Sequence, residues 1–104
     1  RDQTFTEKAL QVFKQLRRRF PESKYAEKAR PHIRKCLKTL AGHDFYVGEF
    51  YYKQERYKAA LARFEDVVNN YPAEFDELQE KARDYIERCR QFLEARSEAD
   101  SAKG

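Results

Sequence analysis

Between Tyr57 and Tyr71 the apolar residues Tyr57, Ala60, Leu61, Phe64, Val67, Val68 and Tyr71 recur at i, i+3, i+4 and i+7. That spacing lines up one face of an α-helix. Pro72 follows and cannot continue the ladder. Before the stripe, Gly48 and Tyr51 stand three apart, a small residue where a partner helix crosses closely and an aromatic on the same face. Gln54–Arg56 reads as the turn between the two helices. The same stripe occurs earlier as Ala9, Leu10, Phe13, Leu16, Phe20 and Pro21, at a constant offset of 51 residues.

Two further apolar faces complete the pattern. Ala26, Ala29, Ile33, Cys36, Leu37 and Leu40 predict a helix from a Ser23 N-cap to about Ala41. Pro31 lies inside it and predicts a kink or break. Gly42 suits the position after a helix end, and Asp44 suits the cap of a new helix carrying Phe45 to Lys53. After a short loop, Ala73–Phe75, Asp76 is expected to cap a last helix to about Ala95. Its stripe is Leu78, Ala82, Tyr85, Ile86, Cys89, Phe92 and Leu93. Here Glu27-Lys28-Ala29-Arg30 returns as Glu80-Lys81-Ala82-Arg83, at an offset of 53. At the start, Arg1–Gln3 reads as linker and Thr4 with Glu7 as a capping box.

The prediction is five helices, near 5–20, 24–41, 44–54, 57–71 and 76–95, with no strand. Gly48, Tyr51, Tyr57, Ala60, Phe64, Val67 and Pro72 match the spacing of one tetratricopeptide (TPR) unit. The turn departs from that pattern, with Glu55 where glycine is usual, so it is expected to form without easy positive φ. The fold class expected is all-α: about five antiparallel TPR-like helices in a right-handed α-solenoid fragment. Residues 1–96 form the domain and 97–104 a frayed polar tail. The chain starts at Arg1 and its first stripe lacks a preceding helix, so a piece of a longer protein is expected.

Composition adds limits. The chain has 104 residues, 40% hydrophobic, with 7 Tyr and 8 Phe and a mean hydropathy of −1.04. This predicts a thin, aromatic core under charged helix faces. No run approaches the roughly 18–20 apolar residues of a membrane span. Net charge is +4, densest at Arg17-Arg18-Arg19 and continued by Lys28, Arg30, Arg34, Lys35 and Lys38. A solvated helix surface is the ordinary meaning of such charge; an acidic partner or nucleic acid is the alternative.

Candidate chemistry is sparse. Cys36 and Cys89 hold equivalent repeat positions, a whole repeat apart and beyond the reach of a disulfide. They are expected to be separate buried thiols. With His32 a packing residue and His43 a loop residue, no metal-ligand spacing is completed. No catalytic, cofactor-binding or metal residue is assigned. Phe45, Glu49, Tyr52 and Lys53 share a second face at helical spacing; in TPR domains that face lines a concave groove, so they meet a peptide or pack against flanking helices. On the Tyr57–Tyr71 helix, Arg63 lies about 100° from Phe64, beside Arg56, Ala59, Asp66 and Asn70. A guanidinium there can grip a partner carboxylate with two parallel bonds; alternatively it is a solvated arginine paired with Glu65 or Asp66.

Across HDFYVGEFYYKQERYKAALARFEDVVNNYP, together with FPESKYAEKA and the Leu40-Ala41 step, the chain resembles the C-terminal half of the BamD/ComL (YfiO-type) family, lipoproteins of the outer-membrane β-barrel assembly (BAM) complex. The resemblance runs from Arg1 to about Phe92. It implies a non-enzymatic scaffold without cofactors or nucleic acid, in the periplasm and held at the outer membrane by an anchor outside this stretch. It implies docking to the POTRA region of BamA, and it puts Arg63 on the partner-facing surface; Arg56, Asp66 and Asn70, beside it by helical geometry, are the further partner-binding candidates. Other BAM subunits are further candidates. The alternatives are another periplasmic TPR adaptor of the Tol–Pal-coordinator type and a basic helical nucleic-acid binder.

Overall fold

The computed structural model describes residues 3–71 and 75–103. Four helices account for nearly all of them: α1 Thr4–Arg19, α2 Lys24–Lys53, α3 Tyr57–Asn69 and α4 Asp76–Lys103, with no strand among the described residues. The all-α expectation holds. Pro72 as a helix stop, Ala73 in the loop, Arg1-Asp2 as linker and Gly104 in the tail lie outside the described residues.

Four helices stand in place of five because α2 does not end at Gly42. Gly42 has no positive φ, and a Cβ added there would meet nothing within 4 Å. Glycine permits a left-handed stop but does not impose one. Around it Ala41 is fully buried and Asp44 is bonded, contacts that keep the helix in register. His43 and Asp44 therefore lie within α2, not in a loop and not at a cap. Pro31 does not break α2 either; the helix runs through it, with the carbonyl of Glu27 deprived of its usual N–H partner.

Other ends also differ. The N-cap of α1 is Gln3, with no side-chain cap bond, so Thr4 opens the helix and no capping box forms. Ser23 does act as expected: its Oγ accepts from the Tyr25 N–H at 3.0 Å. α4 starts at Asp76, and the Gln79 N–H bonds to the carbonyl of Phe75. Asp76 thus sits in the first turn, where its charge suits the helix dipole. At its other end α4 passes Ala95, where the helix was expected to end, and continues to Lys103, with 97–103 exposed.

The chain divides into two compact units, 1–41 and 42–104, with the division inside α2. In the first, Leu10, Ala29 and Ile33 form the buried centre, with Phe13, Leu16, Cys36, Leu37 and Leu40 packed around it. His32 stacks on Phe13 with ring centroids 5.1 Å apart, a packing contact as expected, but it remains exposed. Phe20 departs from its stripe: it follows the last turn of α1 and is 55% exposed.

In the second unit, Tyr57, Ala60, Phe64, Val67, Ala82, Ile86 and Cys89 form a closed core. Partners along α4 run in the opposite order to those along α3: Gln79 meets Tyr71, Tyr85 meets Phe64, and Phe92 meets Tyr57. The two helices are therefore antiparallel. The end of α2 runs antiparallel to α3 by the same logic, with Asp44 at Arg63 and Tyr52 at Tyr57. Gly48 makes this crossing close, since a Cβ there would sit 2.8 Å from Cε1 of Phe64. Cys36 and Cys89 are both free thiols; Cys89 is buried within this core as expected, whereas Cys36, packed at the edge of the first cluster, is only partly covered.

Candidate partner-binding site

The site is built on the α2–α3 turn. Glu55 takes φ +60°, a left-handed conformation that is costly for an L residue. The turn thus does what glycine usually does, with glutamate. The N–H of Arg56 bonds to the carbonyl of Tyr51 at 3.0 Å, and the N–H of Glu55 to that of Tyr52 at 2.9 Å. These two bonds satisfy carbonyls that the end of α2 leaves open, as in a Schellman motif. From α4, Arg96 donates to the Glu55 carbonyl at 3.1 Å and lies over the ring of Tyr57 at 5.0 Å.

Beneath the turn an aromatic stack fixes the helices. Phe64 and Tyr85 are parallel at 4.5 Å, and Phe45 meets both edge-on at 5.5 and 5.8 Å. Tyr52 packs edge-on against Tyr57 and Tyr85. The Tyr85 hydroxyl donates to Glu49 Oε2 at 2.9 Å. Burial, and then this bond to a carboxylate, push the Tyr85 phenol above its ordinary range. Of the four candidate groove residues, Phe45, Glu49 and Tyr52 therefore have partners on α3 or α4 within this unit. Lys53 alone of the four is exposed.

The candidate strip on α3 is placed differently. Arg63 Nη1 donates to Asp44 Oδ1 at 3.0 Å, with side chains 40% and 18% exposed respectively. The other carboxylate oxygen of Asp44 accepts from the Tyr71 hydroxyl at 2.8 Å. Arg63 is thus paired with Asp44 on the preceding helix, not with Glu65 or Asp66. Glu65 accepts from Arg90 at 3.3 Å. The pair is half-open to water, so its contribution to stability is about 1 kcal/mol or less. Its larger effect is to hold one edge of the guanidinium. A guanidinium has several donors, and Asp44 engages one nitrogen. Arg56 lies over the Tyr51 ring at 4.9 Å. The Asn70 amide donates to Asp66 Oδ1 at 3.4 Å, and the Asn70 N–H bonds to the Asp66 carbonyl. Arg56, Asp66 and Asn70 are exposed. With Arg63 they form one strip, because positions 56, 63 and 70 lie nearly two turns apart.

Sequence reasoning missed three contributors. Asp44 was expected at a cap, and Tyr71 in the core stripe. Gln79 is buried, with its amide donating to the carbonyls of Tyr71 at 3.0 Å and Val67 at 3.5 Å at the end of α3. The repeat offset of 53 does align Gln79 with Ala26, itself buried, which is a signal that the position faces inward.

The arrangement presents charged and hydrogen-bonding groups on a rigid helix. Among the described residues no group of three or more His, Cys, Asp or Glu is placed to hold a metal ion.

The sequence pattern of a family described as YfiO, outer membrane lipoprotein, matches residues 1–103. Proteins named outer membrane protein assembly factor BamD are similar. That of Neisseria meningitidis serogroup A is 35% identical over 71 residues, covering 68% of this chain and 27% of that protein. That of Caulobacter vibrioides is 35% identical over 71 residues, 68% of this chain and 23% of that protein. That of Rickettsia prowazekii is 32% identical over 78 residues, 75% and 31%. The chain thus spans between 23% and 31% of the length of these relatives. No solved structure matches it.

Proposed function

The chain belongs to the YfiO family of outer membrane lipoproteins, and from that premise we propose that it is a non-enzymatic helical scaffold in outer membrane protein assembly. Its work is docking, in the periplasm, with attachment to the outer membrane supplied by the longer protein. The partner is the POTRA region of BamA, and the contact is the α3 strip of Arg56, Arg63, Asp66 and Asn70. The names of the relatives support the assembly role. The observation that carries the choice of strip is the Arg63–Asp44–Tyr71 cluster. It pre-orients a half-exposed guanidinium on a rigid core, which lowers the ordering cost of binding.

The test is calorimetric titration of the cognate POTRA-containing BamA fragment into the chain. Arg63→Gln is expected to weaken binding by about 2–5 kcal/mol, the range for truncating one partner of a buried charge pair. Its melting temperature should stay close to that of the parent, because the intramolecular pair is screened. Arg63→Glu is the poorer variant, since it would set a second carboxylate against Asp44. Asp44→Asn, which keeps one acceptor oxygen for Arg63, turns the second position into a donor towards the Tyr71 phenol oxygen and removes the charge, is expected to weaken binding less. Unchanged affinity in natively melting Arg63→Gln would remove the strip from the interface.

A further inference from the structure

The charge of the chain is unevenly divided. Residues 1–41 hold 12 Lys and Arg against 4 Asp and Glu, a balance of +8; residues 42–104 hold 10 against 14, a balance of −4. The net +4 hides this. In the first unit the last turn of α1 and the first turns of α2 enclose an open concavity of about 520 Å³, lined by Lys14, Arg17, Arg18, Glu27 and Arg30 around Pro21 and Ala26. Four cations thus face one acid. Among the described residues none of Lys14, Arg17, Arg18 and Arg30 forms an ion pair. Glu27 offsets part of their mutual repulsion, and solvent or an added anion relieves the rest.

We infer that this concavity is a peripheral contact site for the phosphates of anionic phospholipid headgroups. Guanidinium forks match phosphate oxygens two at a time, and several cations held around one hollow favour a multiply anionic surface over a single carboxylate. Two exposed aromatics flank the same α1–α2 turn: Phe20 and Tyr25, at 55% and 71% exposure. Rings of this kind sit at headgroup level beside basic residues. Among the described residues no helix is long and apolar enough to cross a membrane; the contact proposed is with the surface. The family is one of outer membrane lipoproteins, and a protein tethered to a bilayer meets its headgroups at high effective concentration, where a weak contact suffices. This inference uses the family membership but not the α3 strip, and either can fail without the other.

The experiment is vesicle flotation of the intact chain with phosphatidylcholine vesicles containing or lacking phosphatidylglycerol. Binding is expected only with phosphatidylglycerol and is expected to be lost at high salt. Arg17→Gln/Arg18→Gln/Arg30→Gln should lower the apparent affinity about a hundredfold, at roughly fivefold per cation removed. The charge-matched set Lys28→Gln/Lys35→Gln/Lys38→Gln, whose members do not line the hollow, should lower it by less than about tenfold. Should the triple arginine variant melt abnormally, Arg30→Gln alone serves, with a loss of roughly fivefold. Equal losses in the two triple variants would show diffuse attraction and overturn the site. So would equal binding to pure phosphatidylcholine. Saturable binding of inorganic phosphate, or of a polyglutamate peptide, without vesicle binding would reassign the hollow to a free anion or an acidic protein segment and also overturn the inference.

Discussion

α1 and α3 are copies of one stripe and end in different states. Ala60, Phe64 and Val67 on α3 are completely buried, whereas their equivalents Ala9, Phe13 and Leu16 on α1 are only partly covered. Tyr71 closes its end of the α3 unit through its bond to Asp44, whereas its equivalent Phe20 stands in solvent. The divergence extends to the flanking face. Arg56 and Arg63, which engage Tyr51 and Asp44 on α2, correspond to Phe5 and Val12, both exposed. The difference follows from neighbours inside each unit: α3 is packed between the end of α2 and α4, while among the described residues the cluster of α1 is completed by α2. A repeat sequence fixes which face is apolar, but the number of packed neighbours fixes how much of that face leaves water.

This contrast can be broken by mutation. Phe64→Ala should cost about 3–5 kcal/mol in denaturant unfolding, because a fully packed ring leaves a cavity. Phe13→Ala, its repeat equivalent, should cost roughly 1–2 kcal/mol, the share due to a partly covered ring. Equal costs would mean that the two cores are equally closed.

The glycines sharpen the same point. Gly48→Ala should destabilise by about 1–3 kcal/mol, since the new methyl must displace a ring held by Phe45 and Tyr85. Gly42→Ala, in open space on a continuous helix, should stabilise by about 0.5–1 kcal/mol. A destabilised Gly42→Ala would argue that the helix does break there. Smaller again is Glu55→Gly. Relief of the left-handed strain, about 1–2 kcal/mol, is partly offset by the freedom glycine has when unfolded, leaving a gain of up to about 1 kcal/mol. A thermal melt of this variant checks it.

The thiols give the smallest effect on stability. Burial pushes the Cys89 thiol above its ordinary 9.0, and it is the thiolate that reacts. Cys36, half-buried, should be alkylated in the native state, and Cys89 only after unfolding. The same shift has a defined sign. An acid whose folded value is raised contributes stability present below its unfolded value and lost as pH rises through the folded one, so Cys89→Ala should flatten the alkaline decline slightly. Alkylation of Cys89 in native protein at the rate of Cys36 would contradict its packing.

Much of this was legible in the residues. The α3 stripe, the close approach at Gly48, the Ser23 cap and an all-helical fold follow from local rules, and the described residues bear them out. What failed required knowledge of tertiary partners. Gly42 looked like a stop because its signal is permissive, and only the burial of Ala41 and the bonding of Asp44 decide for continuity. Asp44 looked like a cap because aspartate serves caps and ion pairs alike. Glu55 looked unsuited to positive φ, yet the turn bonds and Arg96 hold it there. For the strip, helical geometry located Arg63 beside the core and missed the acid that holds it, since Asp44 lies 19 residues away on another helix.

The central claim, that the α3 strip and not its α1 counterpart faces the partner, is tested most directly by amide hydrogen exchange of the chain with and without the POTRA-containing BamA fragment. The account predicts that exchange slows on binding across residues 56–70, while residues 5–19 are unchanged. Slowing confined to residues 5–19, with 56–70 unaffected, would contradict it.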